Sequence, residues 1–425
     1  MKIQHFHWDG SDPRVLAAEI RALQPPLGEV SESVTEIIAE VRRGGDSALA
    51  EIEARFGADS VNPDAFRQSD ETIRSAADRL DPALVQALET AAANIRAVAE
   101  TQLAEQRRVD LVQGQSVELR EVAVVSAGIY APGGTAAYPS TALMGCIPAK
   151  VAGVERVVVV TPPGEGGGVS DLMLAAAAIG GANEVYAVGG AQAVAALAIG
   201  TERIAPVDVI AGPGNRYVQE AKRQLAGEVG IDGIAGPSEL MVIAGDTANA
   251  EWMGLDLCAQ AEHGPDGLLV AAAVETVILD AIGESVNRIA ADRRIADEAA
   301  LALVAVPETE TGVALANAIA PEHLEILTED AELLAGRVAT AGCVFVGERS
   351  ATAFGDYAAG SNHVLPTGGA GRFQGPLGPG AFRRRIATVE MTQDAARALA
   401  PTVATLARAE GFPLHAESAE ARAED

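Results

Sequence analysis

A threefold repeat of strand, glycine turn and helix limits what this chain can fold into. Short β-branched runs at residues 157–161, 185–188 and 207–210 are each followed by a glycine-containing turn and then by an apolar helical stretch. The three helices are predicted over residues 170–179, 191–199 and 216–225. Strands that alternate with helices form a parallel sheet with right-handed crossovers, and ligands bind at the carboxyl ends of its strands.

A second set of the same kind follows between residues 239 and 347. Its strands are predicted over residues 240–244, 268–273, 301–306 and 343–346, with helices between them. The pair Gly236-Pro237 marks the crossing point between the two α/β units. This arrangement predicts an α/β protein with two parallel sheets.

The flanking stretches have a different pattern. Residues 14–108 carry apolar side chains at three- and four-residue spacing, which is typical of helices, with stops expected at Gly44-Gly45 and at Gly57. Alternation of apolar and polar residues around Gly114 predicts a hairpin over residues 110–125. A last helix is expected over residues 391–411, followed by a polar tail.

Charge and hydropathy exclude several classes of protein. The 425 residues include 31 Lys and Arg against 59 Asp and Glu, so the formal net charge is −28. A chain this acidic repels phosphate backbones and anionic lipid surfaces, so we expect neither a nucleic-acid partner nor a membrane partner. Because 48% of the residues are hydrophobic, a largely disordered chain is also excluded.

The location is expected to be cytoplasmic. The three cysteines, Cys146, Cys258 and Cys343, form no closely spaced pair, which fits a reducing compartment. The first residues lack the apolar core of a signal peptide, and no apolar run approaches the ~20 residues of a membrane-spanning helix.

Glycine turns are the first candidates for ligand contacts. Gly133-Gly134, Gly189-Gly190 and the pair Gly212 and Gly214 follow predicted strands or stand where a strand should end. Such turns let a backbone approach a phosphate at a helix N-terminus, although they are equally common as purely structural turns. No dinucleotide fingerprint and no P-loop is present, so any nucleotide site is of an unusual kind.

Histidines and carboxylates are the next candidates. Asp256, Gln260 and His263 share one face of a helix, so His263 either stabilises the helix C-terminus or belongs to a metal site, with Asp256 facing the core or the ligands. Glu322-His323 could supply a base and a water activator, or be a solvated pair.

Further candidates are less specific. Asp356 and His363 flank a loop that should project from the carboxyl end of a sheet. Glu410 and His415 lie in or beside the tail, and residues 383–385 form a basic cluster. The residues alone therefore indicate an α/β enzyme with candidate nitrogen and oxygen ligands for a metal, and with a candidate nucleotide site that lacks the usual fingerprint.

Seven sequence blocks in one order resemble the histidinol dehydrogenase family. Matching blocks run from about residue 121 to 367, with a further match over 408–418. They are GIYAPGG at 128–134, VGGAQA at 188–193, GPGN at 212–215, ID and GPSE within 231–239, QAEH at 260–263, PEHLE at 321–325, and GDY with NHVLPT within 355–367.

The resemblance implies two incomplete Rossmann-like parallel-sheet domains with small helical segments at the N- and C-termini. The first domain is expected to combine residues 26–129 with 237–381, and the second to span 130–236. Residues 1–25 would be an N-terminal helical segment, and 382–425 a helical arm that reaches a partner subunit in a homodimer with shared active sites.

The resemblance also implies an oxidation of L-histidinol through L-histidinal to L-histidine with NAD and one Zn²⁺ per subunit. In this scheme His323 is the base and Glu322 activates water. The implied zinc ligands are Gln260, His263, Asp356 and His415, and the implied NAD contacts are Tyr130, Gln192 and Asn215. Substrate contacts are implied at Ser140, Ser238, Gln260, His263, Glu322, His323, Asp356, Glu410 and His415. His363 has no implied role.

Two departures and three alternatives accompany this resemblance. The family commonly has Asn where Gly145 stands, and a serine-rich turn where residues 373–380 are rich in glycine and proline. One alternative is a paralogous zinc-dependent dehydrogenase of another small alcohol, although Glu410 and His415 favour histidinol. A zinc hydrolase would leave Tyr130, Gln192 and Asn215 without a role. A non-catalytic binding protein would not need the pair Glu322-His323.

Overall fold

The structure, a computed structural model, describes residues 1–25, 28–56, 62–133, 138–164, 166–293 and 299–424. Its strands are β1 (Lys2–His7), β2 (Arg107–Asp110), β3 (Ser116–Ala123), β4 (Ser126–Tyr130), β5 (Arg156–Thr161), β6 (Glu184–Ala187), β7 (Val209–Ala211), β8 (Gly230–Ile231), β9 (Glu239–Ala244), β10 (Leu268–Ala273), β11 (Ala300–Ala305), β12 (His323–Leu327), β13 (Cys343–Val346) and β14 (Arg383–Glu390). Its helices are α1 (Pro13–Arg21), α2 (Ser31–Arg55), α3 (Asp70–Arg74), α4 (Pro82–Glu100), α5 (Pro139–Ala152), α6 (Asp171–Gly180), α7 (Gly190–Ile199), α8 (Arg216–Leu225), α9 (Ala250–Ala261), α10 (Thr276–Arg293), α11 (Thr309–Ile319), α12 (Ala331–Ala335), α13 (Thr352–Tyr357), α14 (Gln393–Ala409) and α15 (Pro413–Glu420).

A five-stranded parallel sheet has the order β6-β5-β4-β7-β8. Valines on β5 are buried on both faces, Val157 and Val159 against α4, α5 and α6, and Val158 and Val160 against α2, α7 and α8. The chain steps outward from β4 to β6 and then returns through α7 to β7, beside β4. The direction of winding therefore reverses between β4 and β7, where ligands bind in open α/β sheets.

A six-stranded parallel sheet has the order β1-β11-β10-β9-β12-β13. Helices α9 and α10 cover one of its faces, and α1, α11 and α12 cover the other. The winding reverses between β9 and β12, because the chain steps from β9 out to β11 and returns through α11 to the far side of β9. Both parallel sheets of the predicted α/β architecture are thus confirmed.

The predicted hairpin is also confirmed, and it belongs to a third sheet. Strands β2 and β3 pair antiparallel, and the amide of Leu111 donates to the carbonyl of Gln115 across the turn. Strand β14 pairs antiparallel with the other edge of β3. The C-terminal region is therefore attached to the body of the protein by strand pairing.

The N-terminal segment is not purely helical, contrary to the expectation for residues 1–25. Lys2–His7 forms the edge strand β1, which pairs in parallel with β11. Only Ile3 and Phe6 are partly shielded, and the polar side chains between them face solvent. This irregular pattern, typical of an edge strand, hid the strand in the sequence.

The assignment of residues 26–129 to the first domain needs a correction. Helix α2 packs on α7 and α8, α4 packs on α5, and β4 lies inside the five-stranded sheet. The physical reason is the apolar stripe of α2, in which Val34, Ile38 and Val41 enter the core beneath β5 and β6. Much of this stretch therefore belongs with residues 130–236.

Helix α2 continues past the predicted stop at Gly44-Gly45, but it bends there. Gly45 has a φ of 51° and a ψ of −133°, which breaks the regular helix into two segments. The second segment is capped by Glu202, whose carboxylate accepts from the amide of Asp46 at 2.8 Å. The other expected stop, Gly57, lies outside the described residues.

The C-terminal arm also differs from the expectation for residues 382–425. Arg383–Glu390, which includes the basic cluster, forms β14, and the expected polar tail forms α15. Helices α14 and α15 pack mainly on each other around Ala404, Ala407 and Ala416. Because alanine side chains are small, they give only a weak apolar pattern, and α15 was therefore not predicted from the sequence.

None of the helices among the described residues is long and apolar enough to cross a membrane.

A buried ion pair holds the turn after β7. Lys222 and Asp232 are 1% and 6% exposed in their side chains, and the Lys222 ammonium also donates to the carbonyl of Gly212 at 3.1 Å. The Asp232 carboxylate accepts from the amide of Gly212 at 2.8 Å. Together these groups fix the carboxyl end of β7, where the chain leads into Asn215.

Replacing Lys222 with Met should leave the Asp232 charge buried and unpaired. We expect the free energy of unfolding to fall by about 3–5 kcal/mol. The matched control is Arg42→Met, which removes an exposed partner of Glu228 and should cost at most about 1 kcal/mol. Urea denaturation measures both values, and equal losses would contradict the structural role given to Lys222.

Candidate active site

The candidate site lies where the two parallel sheets approach each other. Ser238 precedes β9 and His323 begins β12, so these side chains lie at the amino edge of the six-stranded sheet. The carboxyl edge of the five-stranded sheet carries Tyr130 at the end of β4 and Asn215 after β7. The candidate residues of the larger sheet therefore lie at its amino edge, whereas those of the five-stranded sheet lie at the carboxyl edge.

His323 is buried with one ring nitrogen in use. It is 3% exposed, and its Nδ1 donates to the carbonyl oxygen of Glu239 at 3.0 Å. Its buried Nε2 makes no hydrogen bond among the described residues and lies 3.5 Å from Oδ1 of Asp356. Burial lowers the pKa of His323, but the carboxylates of Glu322 and Asp356 outweigh it and raise the pKa to about 9.

Glu322 is held by two donors on a single oxygen. Its Oε2 accepts from the Ser238 hydroxyl at 2.7 Å and from the amide of Glu239 at 2.9 Å. Burial raises the pKa of Glu322, while the neighbouring His323 and these hydrogen bonds oppose the rise. A fixed carboxyl group with an elevated pKa beside an imidazole is an arrangement suited to general acid–base chemistry.

Glu239, next to the pair Glu322-His323, forms hydrogen bonds with three separate segments of the chain. It is 1% exposed, and it accepts two hydrogen bonds from the Arg21 guanidinium at 2.8 and 3.2 Å. It also accepts from the amide of Gly368 at 3.0 Å and the amide of Glu322 at 3.3 Å. Sequence analysis missed Arg21 and Glu239. The available signal was an acidic residue at the first position of an otherwise apolar strand.

Helix α9 brings Gln260 and His263 to the same edge. The Gln260 amide donates to the hydroxyl of Ser238, which in turn donates to Glu322. His263 is solvent-exposed at the helix end, yet surrounding protein lowers its pKa by desolvation, which Asp356 opposes. His263 therefore favours the neutral form that metal ligands require.

Asp356 reaches the amino edge by an unexpected route. After β13 the chain turns, and α13 runs back along β12, with the amide of Thr352 bonded to Glu325 at 2.8 Å. The predicted loop at the carboxyl edge is thus corrected to a helix that returns to His323. Burial raises the pKa of Asp356, but His323, His363 and His263 outweigh it and lower the pKa.

His363, which had no implied role, supports Asp356. Its Nδ1 donates to the backbone carbonyl of Asp356 at 2.8 Å, so its Nε2 faces the Thr141 hydroxyl at 3.3 Å as an acceptor. Thr141 lies on α5 beside Ser140, which is half-buried in the first turn of that helix. The imidazole of His363 therefore links Asp356 to the five-stranded sheet.

A second pair of carboxyl groups lies next to the site. Asp256, on the face of α9 shared with Gln260, is half-buried, and burial raises its pKa to about 6. Burial and the charge of Asp256 raise the pKa of Glu325 to about 7. Glu325 is fully buried and accepts from the Thr352 hydroxyl at 2.6 Å. Asp256 therefore acts as a neighbour of the site's framework rather than as a ligand.

Two of the expected metal ligands favour the protonation state in which they bind a cation. Asp356 favours its ionised form and His263 its neutral form, the states in which these groups bind a metal. Glu410 and His415 are exposed on the C-terminal arm, and the ring of His415 contacts Phe412. Across the described part of the chain, no group of three or more His, Cys, Asp or Glu side chains is arranged to hold a metal.

The residues expected at the dinucleotide site lie around the other sheet edge. Tyr130 and Gln192 are both 3% exposed, and the Tyr130 hydroxyl accepts from the amide of Gly190 at 3.0 Å. Burial raises the pKa of Tyr130 to about 12, so it remains a phenol. Asn215 is exposed and caps α8. Of the glycine turns, Gly134 lies outside the described residues.

The two departures from the family pattern have structural counterparts. A Cβ atom on Gly145 would lie 2.3 Å from a methyl carbon of Ile129, so α5 and β4 pack too closely for a larger side chain there. In the stretch 373–380, Gln374 donates to the carbonyl of Asp232 at 2.8 Å. This stretch lines a cavity of about 370 Å³ with Lys222 and Asp232.

Known proteins resemble this chain in both sequence and fold. A family model described as histidinol dehydrogenase matches residues 24–423. The histidinol dehydrogenase of Zymomonas mobilis is 42% identical over 92% of both chains, and that of Bradyrhizobium diazoefficiens is 43% identical over 95% of this chain and 94% of its own. A crystal structure of histidinol dehydrogenase from Elizabethkingia anophelis superposes with a TM-score of 0.91 at 30% identity, covering 99% of this chain and 98% of that one.

Ala320, which precedes Pro321 and the pair Glu322-His323, has a strained backbone conformation. Its φ of 50° and ψ of 63° lie in the left-handed region. Because glycine adopts this conformation freely, Ala320→Gly should raise the free energy of unfolding by about 1 kcal/mol.

Urea denaturation tests this value, with Ala314→Gly on the exposed face of α11 as the matched control. The control should lose about 1 kcal/mol, because glycine lowers helix propensity. Equal losses for both variants would show that Ala320 is not strained.

Proposed function

Because the chain belongs to the histidinol dehydrogenase family and is an oxidoreductase of that type, we propose that it oxidises L-histidinol through L-histidinal to L-histidine, with NAD and one Zn²⁺ per subunit. The observation that carries the proposal is the buried pair Glu322-His323 beside Asp356. The reaction needs one group that accepts a proton from the substrate and one that activates water. An imidazole and a carboxyl group in different environments can supply these two functions.

His323 is assigned the proton transfers. Its Nδ1 is committed to the Glu239 carbonyl, so Nε2 is the atom that accepts the hydroxyl proton of the alcohol. After this proton has passed to solvent, the same nitrogen accepts a proton from the hydrated aldehyde in the second oxidation. The charges of Glu322 and Asp356 both raise the pKa of His323. If Asp356 held a metal ion, its share of this effect would fall, and the imidazole would lie closer to the neutral form of a base.

Glu322 is assigned the activation of water. Ser238 and the amide of Glu239 fix its Oε2, so the carboxylate cannot rotate away from the reacting carbon. Its burial keeps the aldehyde stage away from bulk water, which protects a reactive carbonyl. When bound, NAD supplies the hydride acceptor for each oxidation.

Gln260, His263 and Asp356 are the residues of one chain that would hold zinc, with His415 from a second copy as the remaining ligand. When bound, the ion supplies a positive charge that orients the imidazole and amine of the substrate. Ser140, Ser238 and Glu410 are assigned to substrate contacts. The exposed arm with Glu410 and His415 supports a homodimer in which each arm completes the other copy's site.

The cytoplasm is the proposed location. All three cysteines are free, and Cys146 and Cys258 are buried in the core. Burial raises the pKa of Cys146 to about 12 and of Cys258 to about 11, which makes both unreactive. These properties suit a biosynthetic enzyme in a reducing compartment.

The proposed reaction is tested by counting NADH formed per substrate consumed, with zinc-loaded protein and NAD. Two NADH per L-histidinol would support both oxidations. Turnover of a different small alcohol but not of histidinol would favour the paralogous dehydrogenase. Hydrolytic activity without NAD would favour the zinc hydrolase, and either result would overturn the proposal.

Changing His323 to Asn should lower kcat by ~100-fold or more, because this is the usual effect of losing a general base. His7→Asn is the matched control, since His7 is exposed on the edge strand, and its kcat should equal that of the wild type. Steady-state NADH formation measures both variants. A kcat near the wild-type value in His323→Asn would remove this residue from the mechanism.

Changing His415 to Asn should weaken zinc binding without unfolding the chain, since His415 is exposed. The loss of affinity should at least match the about 10- to 100-fold cost of losing an outer-shell partner. Metal analysis after dialysis against a chelator measures it, with Glu417→Gln on the same helix as the control. Undiminished zinc content in His415→Asn would show that the fourth ligand is another residue.

A further inference from the structure

A buried carboxylate from α2 reaches the glycine turn at the start of α7. Glu53 is 4% exposed, and its Oε1 accepts from the amide of Gly189 at 2.7 Å and from the side-chain amide of Gln192 at 2.9 Å. The neighbouring amide of Gly190 donates to the Tyr130 hydroxyl. Glu53 therefore contacts Gln192 directly, and the glycine turn that it holds contacts Tyr130. Both residues are assigned to NAD binding.

The turn has no local means of satisfying these donors. Gly189 is the N-cap of α7 and supplies no side-chain cap. A Cβ atom there would lie 2.5 Å from the ring of Pro162 and 2.9 Å from its Cα, so no capping side chain fits. Because a helix N-terminus carries unpaired amides and a partial positive charge, a carboxylate delivered from α2 is a favourable replacement.

The carboxylate also determines which way Gln192 points. A carboxylate only accepts hydrogen bonds, so the NH₂ group of Gln192 must face Glu53 and its carbonyl oxygen must face away. A ligand would therefore meet an acceptor at Gln192 and a hydroxyl proton at Tyr130. This pair suits the hydroxyl and amide groups of a dinucleotide. The amides of Gly189 and Gly190 are already bonded within the chain, so these two donors are not available to a phosphate.

We propose that Glu53 is a positioning residue for NAD: its carboxylate holds Gln192 and the Gly189-Gly190 turn in the orientation that binds the dinucleotide. The proposal rests on the proposed function, because it takes NAD as the ligand of Tyr130 and Gln192. In this proposal the Glu53 carboxylate takes the place at the N-terminus of α7 that a phosphate takes in the common dinucleotide sites. This accounts for a nucleotide site that lacks the phosphate-binding fingerprint.

The test compares Glu53→Leu with Glu53→Gln. Leucine removes the acceptor, whereas glutamine retains an oxygen that can accept from both donors. The leucine variant should raise the KM and the Kd for NAD by about tenfold or more, since a buried amide loses its partner. Its KM for histidinol and its zinc content should change less than about twofold, and the glutamine variant should stay near the wild type. Glu51→Leu, on the exposed face of α2, is the matched control.

A double variant separates positioning from general stability. If Glu53 acts through Gln192, Glu53→Leu should raise the Kd for NAD much less in the Gln192→Ala background than in the wild type. Calorimetric titration with NAD measures each Kd. An unchanged Kd in Glu53→Leu, full additivity in the double variant, or equal loss of all kinetic constants in both Glu53 variants would overturn the proposal.

Titration of the wild type distinguishes this proposal from the proposed function. A wild type that binds NAD but does not oxidise histidinol would contradict the proposed function, and the Kd values would still decide the role of Glu53. A wild type that does not bind NAD would overturn both.

Discussion

The acid–base pair depends on one buried carboxylate, Glu239. Its side chain receives Arg21 from α1 and the amide of Gly368, and its backbone carbonyl receives Nδ1 of His323. Its backbone amide, in turn, donates to Glu322. Removing the cationic partner of a buried carboxylate lowers the free energy of unfolding by roughly 3–5 kcal/mol. Arg21 on α1 therefore stabilises the carboxylate on which the positions of Glu322 and His323 depend.

The two parallel sheets contribute different chemistry because they meet by opposite edges. The amino edge of the six-stranded sheet presents ionisable side chains, whereas the carboxyl edge of the five-stranded sheet presents glycine turns and helix N-termini. Two hydrogen bonds join these regions: the Thr141 hydroxyl donates to His363, and the amide of Gly236 donates to the Thr367 hydroxyl. In the proposed function, this junction would hold a proton acceptor and a hydride acceptor on either side of a substrate, as proximity catalysis requires.

Much of this architecture could be predicted from the sequence, because buried parallel strands are short β-branched or apolar runs bounded by glycine. The strand at Leu268–Ala273 and the helix at Arg216–Leu225 occur where they were predicted. The helix predicted over residues 391–411 is confirmed as α14, whereas the edge strand β1 and the short helix α15 escaped prediction, since neither presents a strong apolar pattern. The convergence of Ser238, Gln260, Glu322, His323, His263 and Asp356 followed from the family resemblance. Spacing alone shows neither that α13 returns to the amino edge nor that Glu53 caps α7, because both depend on tertiary packing.

The central claim is that one chain supplies the acid–base pair and another supplies His415. The most direct measurement mixes two inactive variants, His323→Asn and His415→Asn, under conditions in which subunits exchange. In a symmetric dimer with shared sites, about a quarter of the sites in a random mixture combine an intact His323 with an intact His415. The account predicts that activity returns to about that fraction of the wild type. If the mixture remains as inactive as its components although hybrid dimers form, each site is complete within one chain and the account is wrong.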